Sequence, residues 1–179
     1  MTDDEHKQIA ADFYHGKVLF GLDRMVARQF FMDIPFRIIE EKTGEAPYLE
    51  MFTVWALLIA GHLGLVLSWV LAFVAFGWWS ALLIPGSLVV YFIFTGHSSL
   101  PGHGLLGITI ALAASVAAAV VDVFPSRAIG WYFVVLLLSL WAARSVYSAA
   151  WHFVRAFVLR NGKAYEMLSS RIDIRAANE

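Results

Sequence analysis

The chain has 179 residues, a formal net charge of −1, 60% hydrophobic residues and 15% charged ones. A soluble domain normally carries about 25% charged residues, and here only Asp122 and Arg127 are charged between Met51 and Ala143, too few to cover a water-facing surface but suited to a lipid-facing one. The absence of cysteine excludes disulfides, thiol catalysis and Cys-ligated metal, and neither end is a basic tail of the kind that binds nucleic acid.

In chain order, Thr2 to Phe31 reads as one amphipathic helix. Ile9, Phe13, Leu19, Leu22, Val26 and Phe30 recur at three- to five-residue steps with charges between them. Such a helix would lie in the lipid headgroup layer or against a partner protein. Pro35 ends or bends it, and Glu40 to Ala46 reads as polar and turn-like. The first thirty residues show no charged n-region followed by an apolar core, so no signal peptide is expected and the N-terminus should stay in the cytoplasm.

Four apolar stretches follow. The first runs from about Met51 to Phe76, longer than the roughly 20 residues a crossing needs. A short turn with Trp78 and Trp79 leads to the second, about Ser80 to Thr95, where Pro85 and Gly86 predict a kink or local unwinding. The third spans about Leu105 to Val121. Its Gly107, Ala111, Ala114 and Ala118 form a small-residue stripe fitted to close helix packing. The fourth starts near Trp131, and Trp151 lies about 30 Å further along the helix, the spacing of two aromatic belts. Ala142, Ser145 and Ala149 make a second small stripe expected to face the first. The helix continues to about Arg160 and stops at Asn161-Gly162. The tail from Lys163 reads as a short helix followed by an extended segment.

The fold class expected is therefore an all-α integral membrane protein. It would contain an amphipathic interfacial arm (1–46), a four-span bundle (47–151) and a cytoplasmic C-terminal extension (152–179). Each end carries six Lys or Arg residues, which the positive-inside rule places in the cytoplasm. A bacterial inner membrane with both termini inside is the expected location.

Polar groups at membrane depth are the candidate functional residues, because they are costly there. Arg144 sits some 10 Å inside the cytoplasmic boundary of the fourth span. It would either snorkel to the headgroups or pair with an acid, and Glu50, at the mouth of the first span, is the candidate. His62, mid-way along the first span, would hydrogen-bond a neighbouring helix; a haem would need a second histidine at similar depth, and the sequence has none there. His97 and His103 share a loop, but two histidines leave a zinc site incomplete.

No cofactor or metal is expected. The sequence carries no phosphate loop, zinc-protease helix or nucleophile elbow. The partners expected are the lipid bilayer and other membrane subunits or further copies of this chain. The function expected is a non-catalytic subunit that assembles with a larger membrane complex or with itself. The alternatives are an oligomeric pore, transporter or membrane-disrupting effector lined by His62, Pro85 and Arg144, and an intramembrane enzyme using His97, His103 and Glu50.

Overall fold

A computed structural model describes residues 3–96 and 103–176. The chain is mostly helical. Its elements are α1 (Asp3–Tyr14), β1 (Val18–Leu22), α2 (Arg24–Asp33), α3 (Phe36–Thr43), α4 (Tyr48–Phe76), α5 (Ser80–Gly96), α6 (His103–Val120), α7 (Arg127–Arg160), α8 (Gly162–Leu168) and β2 (Ile172–Ala176). They form two compact units, one of Met1–Trp55 with Tyr147–Glu179 and one of Ala56–Val146.

The first unit is built from both ends of the chain, which the sequence presents as separate segments. The long N-terminal helix expected there is not formed. Helix α1 stops at Tyr14, Gly16 turns the chain at φ +70°, and residues 18–22 become a strand antiparallel to β2, with Phe20 opposite Ile174. Leu19 and Leu22, three apart, fit a helical step, whereas in a strand they fall on opposite faces, and the strand partner that decides the matter lies some 150 residues away. Phe20 and Leu22 point inward and Leu19 outward, the alternation of a half-buried strand.

Asp23 then caps α2, its carboxylate accepting from the Met25 amide at 2.6 Å. The segment 40–43 expected as a turn is helical. It closes α3, which is stopped by Gly44 at φ +75° with its amide on the Glu40 carbonyl. Phe30, Phe31, Ile39, Val154, Phe157 and Val158 are almost fully buried, with the Phe30 and Phe157 rings 6.2 Å apart. Asn161 caps α8 by accepting from the Ala164 amide, and its amide nitrogen donates to the Thr43 carbonyl at 3.2 Å.

In the second unit the helices fall where the apolar stretches do. Two helical stretches, Tyr48–Thr95 and Arg127–Arg160, are long and apolar enough to cross a membrane, and Leu105–Val120 is apolar but shorter. The first contains α4, a 3-10 turn at Gly77–Trp79 with Gly77 at φ +53°, and α5. Of the kink or local unwinding expected at Pro85 and Gly86, the unwinding is absent, and α5 is helical from Ser80 to Gly96. Pro85 lies in the second turn, where its missing N–H forfeits a single bond, to the Ala81 carbonyl.

Helices α4 and α7 approach closely where both carry small residues. A Cβ on Gly61 would lie 3.1 Å from that of Ala143, and a Cβ on Gly64 would lie 3.0 Å from that of Ser139. The Ser139 hydroxyl donates to the Gly61 carbonyl at 2.6 Å. The stripe expected on α6 packs differently. Gly107 has open space around it and Ala114 is exposed, while Ala111 and Ala118 are half-buried. Helix α6 meets α7 through other residues. The Trp141 indole donates to Thr109 at 3.1 Å, and a Cβ on Gly130 would lie 3.1 Å from that of Ala119. A helix has several faces, and small residues at i, i+4 and i+7 mark one that can pack closely without fixing which one does.

Candidate functional site

The second unit is apolar on its surface and packs an apolar core around Leu65, Tyr91, Ile108, Leu140 and Ala143, and several polar side chains are buried as well. Ser68, Ser87, Ser139, Arg144 and Ser145 are buried, whereas Leu63, Phe73, Leu82, Phe92 and Ile110 are each more than half exposed. The hydroxyls bond within the unit. Ser68 donates to Leu65, Ser87 to Ile84, Thr95 to Tyr91 and Thr109 to Leu105, all backbone carbonyls of the preceding turn. Ser87 also accepts from the Trp69 indole at 2.9 Å, joining α4 to α5. Ser145 Oγ is buried with no hydrogen-bond partner among the described residues.

Arg144 is 5% exposed. Its Nη1 donates to the Phe94 carbonyl at 3.3 Å, so the guanidinium sits on one of the last carbonyls of α5, where a cation is favoured. Glu50 accepts from Arg160 at 3.2 Å, and Arg160 also meets Glu45 at 2.8 Å. Arg160 lies sixteen residues beyond Arg144 on α7, about 24 Å along the axis. A carboxylate that reaches one cannot reach the other, so the Glu50–Arg144 pairing expected from sequence is not formed. Depth alone suggested that pair, whereas the last turn of α5 provides a nearer acceptor. In a double-mutant cycle, Glu50→Gln with Arg144→Gln should give additive changes in unfolding free energy. Glu50→Gln with Arg160→Gln should couple by up to about 1 kcal/mol, the range for half-exposed ion pairs. Coupling in the first cycle would contradict the geometry.

His62 is exposed. Its Nδ1 lies 2.8 Å from the Leu58 carbonyl of its own helix, and its ring meets Tyr91 edge-on at 5.8 Å. The hydrogen bond to a neighbouring helix expected of it is therefore replaced by one within α4. His97 lies outside the described residues, and His103 enters only as the first residue of α6. Among the described residues no three His, Asp or Glu side chains come together as metal ligands would. Of the second stripe, Ala142 and Ser145 are buried in the second unit, and Ala149 is half-buried in the first. Val90, Phe94, Gly107, Ile108, Ala111, Leu137 and Leu140 line an apolar cavity of about 420 Å³ between α5, α6 and α7.

The first unit holds a cluster that the sequence reading passed over. Arg28 on α2 donates through Nη1 to the Tyr147 hydroxyl at 2.9 Å and through Nε to the Met32 sulfur at 3.1 Å. Arg155 lies over two rings, 4.8 Å from Phe13 and 4.5 Å from Trp151. The Trp151 indole donates to the Leu22 carbonyl at 2.9 Å, which fixes the ring under the guanidinium. His152 is held below the ordinary histidine range by partial burial and then by the positive charges of Arg155 and Arg24. The spacing that builds this group is i, i+4 on each helix, Arg24 with Arg28 and Trp151 with Arg155. Only the pairing of α2 with α7 shows that they belong together. Elsewhere in this unit the Tyr48 phenol donates to Glu40 at 3.1 Å, which raises its pKa.

No protein family, curated protein or solved structure matches the chain.

Proposed function

We propose that the chain is a non-catalytic, multi-pass membrane subunit. Residues 56–146 would make four crossings, and the first unit would lie on the cytoplasmic side of a bacterial inner membrane and take part in assembly. The observation that carries this reading is the apolar surface of the second unit, together with the polar groups it turns inward. Its surface is mostly hydrocarbon, while Ser68, Ser87, Ser139 and Arg144 are turned inward and bonded to backbone carbonyls, as a lipid solvent requires. Lengths agree with it. The parts of α4 and α7 inside this unit, 56–76 and 127–146, are each about 30 Å long, the thickness of a bilayer core. The exposed Trp78 and Trp79 would then fall at one interface.

Topology has support of its own. Both ends of the chain belong to one folded unit, which supports a shared side and an even number of crossings between residues 56 and 146. Assembly is supported by His62. Its Nε2 has no hydrogen-bond partner among the described residues, and the ring is exposed on α4. The Leu58 carbonyl takes the Nδ1 proton, so Nε2 of the neutral ring is an acceptor, and at membrane depth a donor on another helix would stabilise it.

Two measurements test the reading. Reporter fusions at Lys42 and Lys163 should both read cytoplasmic, and one at Arg127 should read external. An external Lys163 reporter would overturn the topology. After gentle extraction, the particle mass should exceed that of the 20.0 kDa chain with its detergent, and His62→Leu should shift it toward the monomer. A wild-type particle that is monomeric and free of other proteins would overturn assembly.

A further inference from the structure

We infer that Arg24, Arg28, His152 and Arg155 form a binding site for the phosphate of an anionic membrane phospholipid. The inference rests on the membrane reading above, because it requires this part of α7 to stand at the headgroup level.

The first argument is charge. The charges of Arg155 and Arg24 bear on His152, and Arg28 follows Arg24 by one helical turn on α2; among the described residues none of the three arginines has a carboxylate within 4 Å, and the ion pairs of this unit belong to Lys7, Lys17, Arg37, Arg160 and Arg175. The acids closest in sequence are engaged elsewhere. Asp23 accepts from the Met25 amide, and Asp12 pairs with Lys17 at 3.5 Å. Like charges held together without a counter-ion raise the energy of the fold, and a bound anion offsets that repulsion.

The second argument is preorganisation. Arg28 is fixed by Tyr147 and Met32, and Arg155 is fixed between Phe13 and Trp151. Ring stacking uses the faces of a guanidinium and leaves its edge, where the N–H donors lie, to an oxyanion. Arg155 makes no hydrogen bond among the described residues, and Arg28 commits two of its five donors to the contacts above. The three arginines are half-buried and His152 is exposed, so the donors stand at the surface with their charge partly desolvated.

The third argument is position. Helix α7 is unbroken from Arg127 to Arg160, so residues 147–155 follow the crossing directly. Tyr147 and Trp151 are the residue types that sit at the headgroup layer, and basic pockets at that level bind lipid headgroups.

The test uses the full chain purified in a neutral detergent, with thermal unfolding as readout. Dioleoyl-phosphatidylglycerol should raise Tm in a saturable way. Dioleoyl-phosphatidylcholine and inorganic phosphate at matched concentration should not. Arg24→Gln should raise the half-saturating phosphatidylglycerol concentration roughly fivefold, the worth of one basic side chain near an anionic lipid. Arg24→Gln with Arg155→Gln should raise it further, and Arg127→Gln should leave it unchanged. Arg24 makes no hydrogen bond or ring contact among the described residues, so the single variant carries the test if the double variant does not fold.

Equal stabilisation by phosphatidylcholine, or an unchanged half-saturation in Arg24→Gln, would overturn the site. Stabilisation by inorganic phosphate alone would assign it to a free anion and overturn the lipid. Alkaline carbonate washing of membranes separates the two levels of inference. Release of the chain removes the membrane reading and the site with it, whereas retention with a flat phosphatidylglycerol response removes the site alone.

Discussion

Valine at position 64 is expected to lower the thermal stability of the protein in detergent sharply, by about 1–3 kcal/mol or more, the usual cost of overpacking a closed contact. The Cβ alone would stand 3.0 Å from the Ser139 Cβ and 3.3 Å from its Cα, and these atoms cannot swing aside as the end of a long side chain can. Gly61 is equally confined, by the Cβ, amide nitrogen and Cα of Ala143 at 3.1–3.3 Å. Separating the helices there would also stretch the 2.6 Å bond from Ser139 to the Gly61 carbonyl. Gly107 supplies the control, because nothing lies within 4 Å of its Cβ position. Gly107→Ala should be neutral or stabilising by up to about 1 kcal/mol, since alanine is the better helix former, whereas Gly61→Ala should destabilise. A protein indifferent to Gly64→Val, or one that responds equally at Gly61 and Gly107, would show that α4 and α7 do not pack as described.

These glycines also show where sequence reasoning reaches its limit. The helices over 48–76, 80–96, 103–120 and 127–160 were legible because a long run without charge, broken by Gly, Pro and Trp, has few other solutions in a chain of this composition. Which faces meet was not legible. Gly61 and Gly64 flank His62, the residue that drew attention for its chemistry, while the longer stripe on α6 was the more conspicuous pattern. Small residues permit close approach, and choosing among several permitted faces takes the whole set of side chains on every helix.

Arg144 teaches the same lesson for polar groups. Its charge called for the headgroups or an acid, and it donates instead to a carbonyl on the last turn of α5, which carries no sequence signature, whereas Glu50 does. The strand Val18–Leu22 was missed because its partner is the far end of the chain, and the arginine cluster was missed because it joins two helices more than a hundred residues apart. Local patterns decide elements, and non-local pairings decide sites.

The joining of the two ends leads to the other large effect. Phe157→Ala should destabilise the first unit by about 3–5 kcal/mol, the range for emptying a fully buried aromatic site. Phe157 has no exposed surface, and its ring meets Phe30 of α2 at 6.2 Å, so the cavity would open between segments from opposite ends of the chain. The same helix surface carries Val154 and Val158, both fully buried, and the Val158 carbonyl lies 2.9 Å from His6 Nε2 on α1. Losing Phe157 should therefore loosen α1 and α2 as well as the end of α7. Hydrogen exchange should report faster opening at Ala27, Phe30 and Phe31, far along the sequence from the substitution, while amides near Leu65 and Leu140 in the second unit keep their protection. Leu19→Thr, on the outward side of β1, should leave both units unchanged, because the side chain is exposed and threonine suits a strand. If exchange in Phe157→Ala rises only around residues 150–160 and the N-terminal helices stay protected, the two ends of the chain do not share a core, and the proposed even number of crossings loses its support.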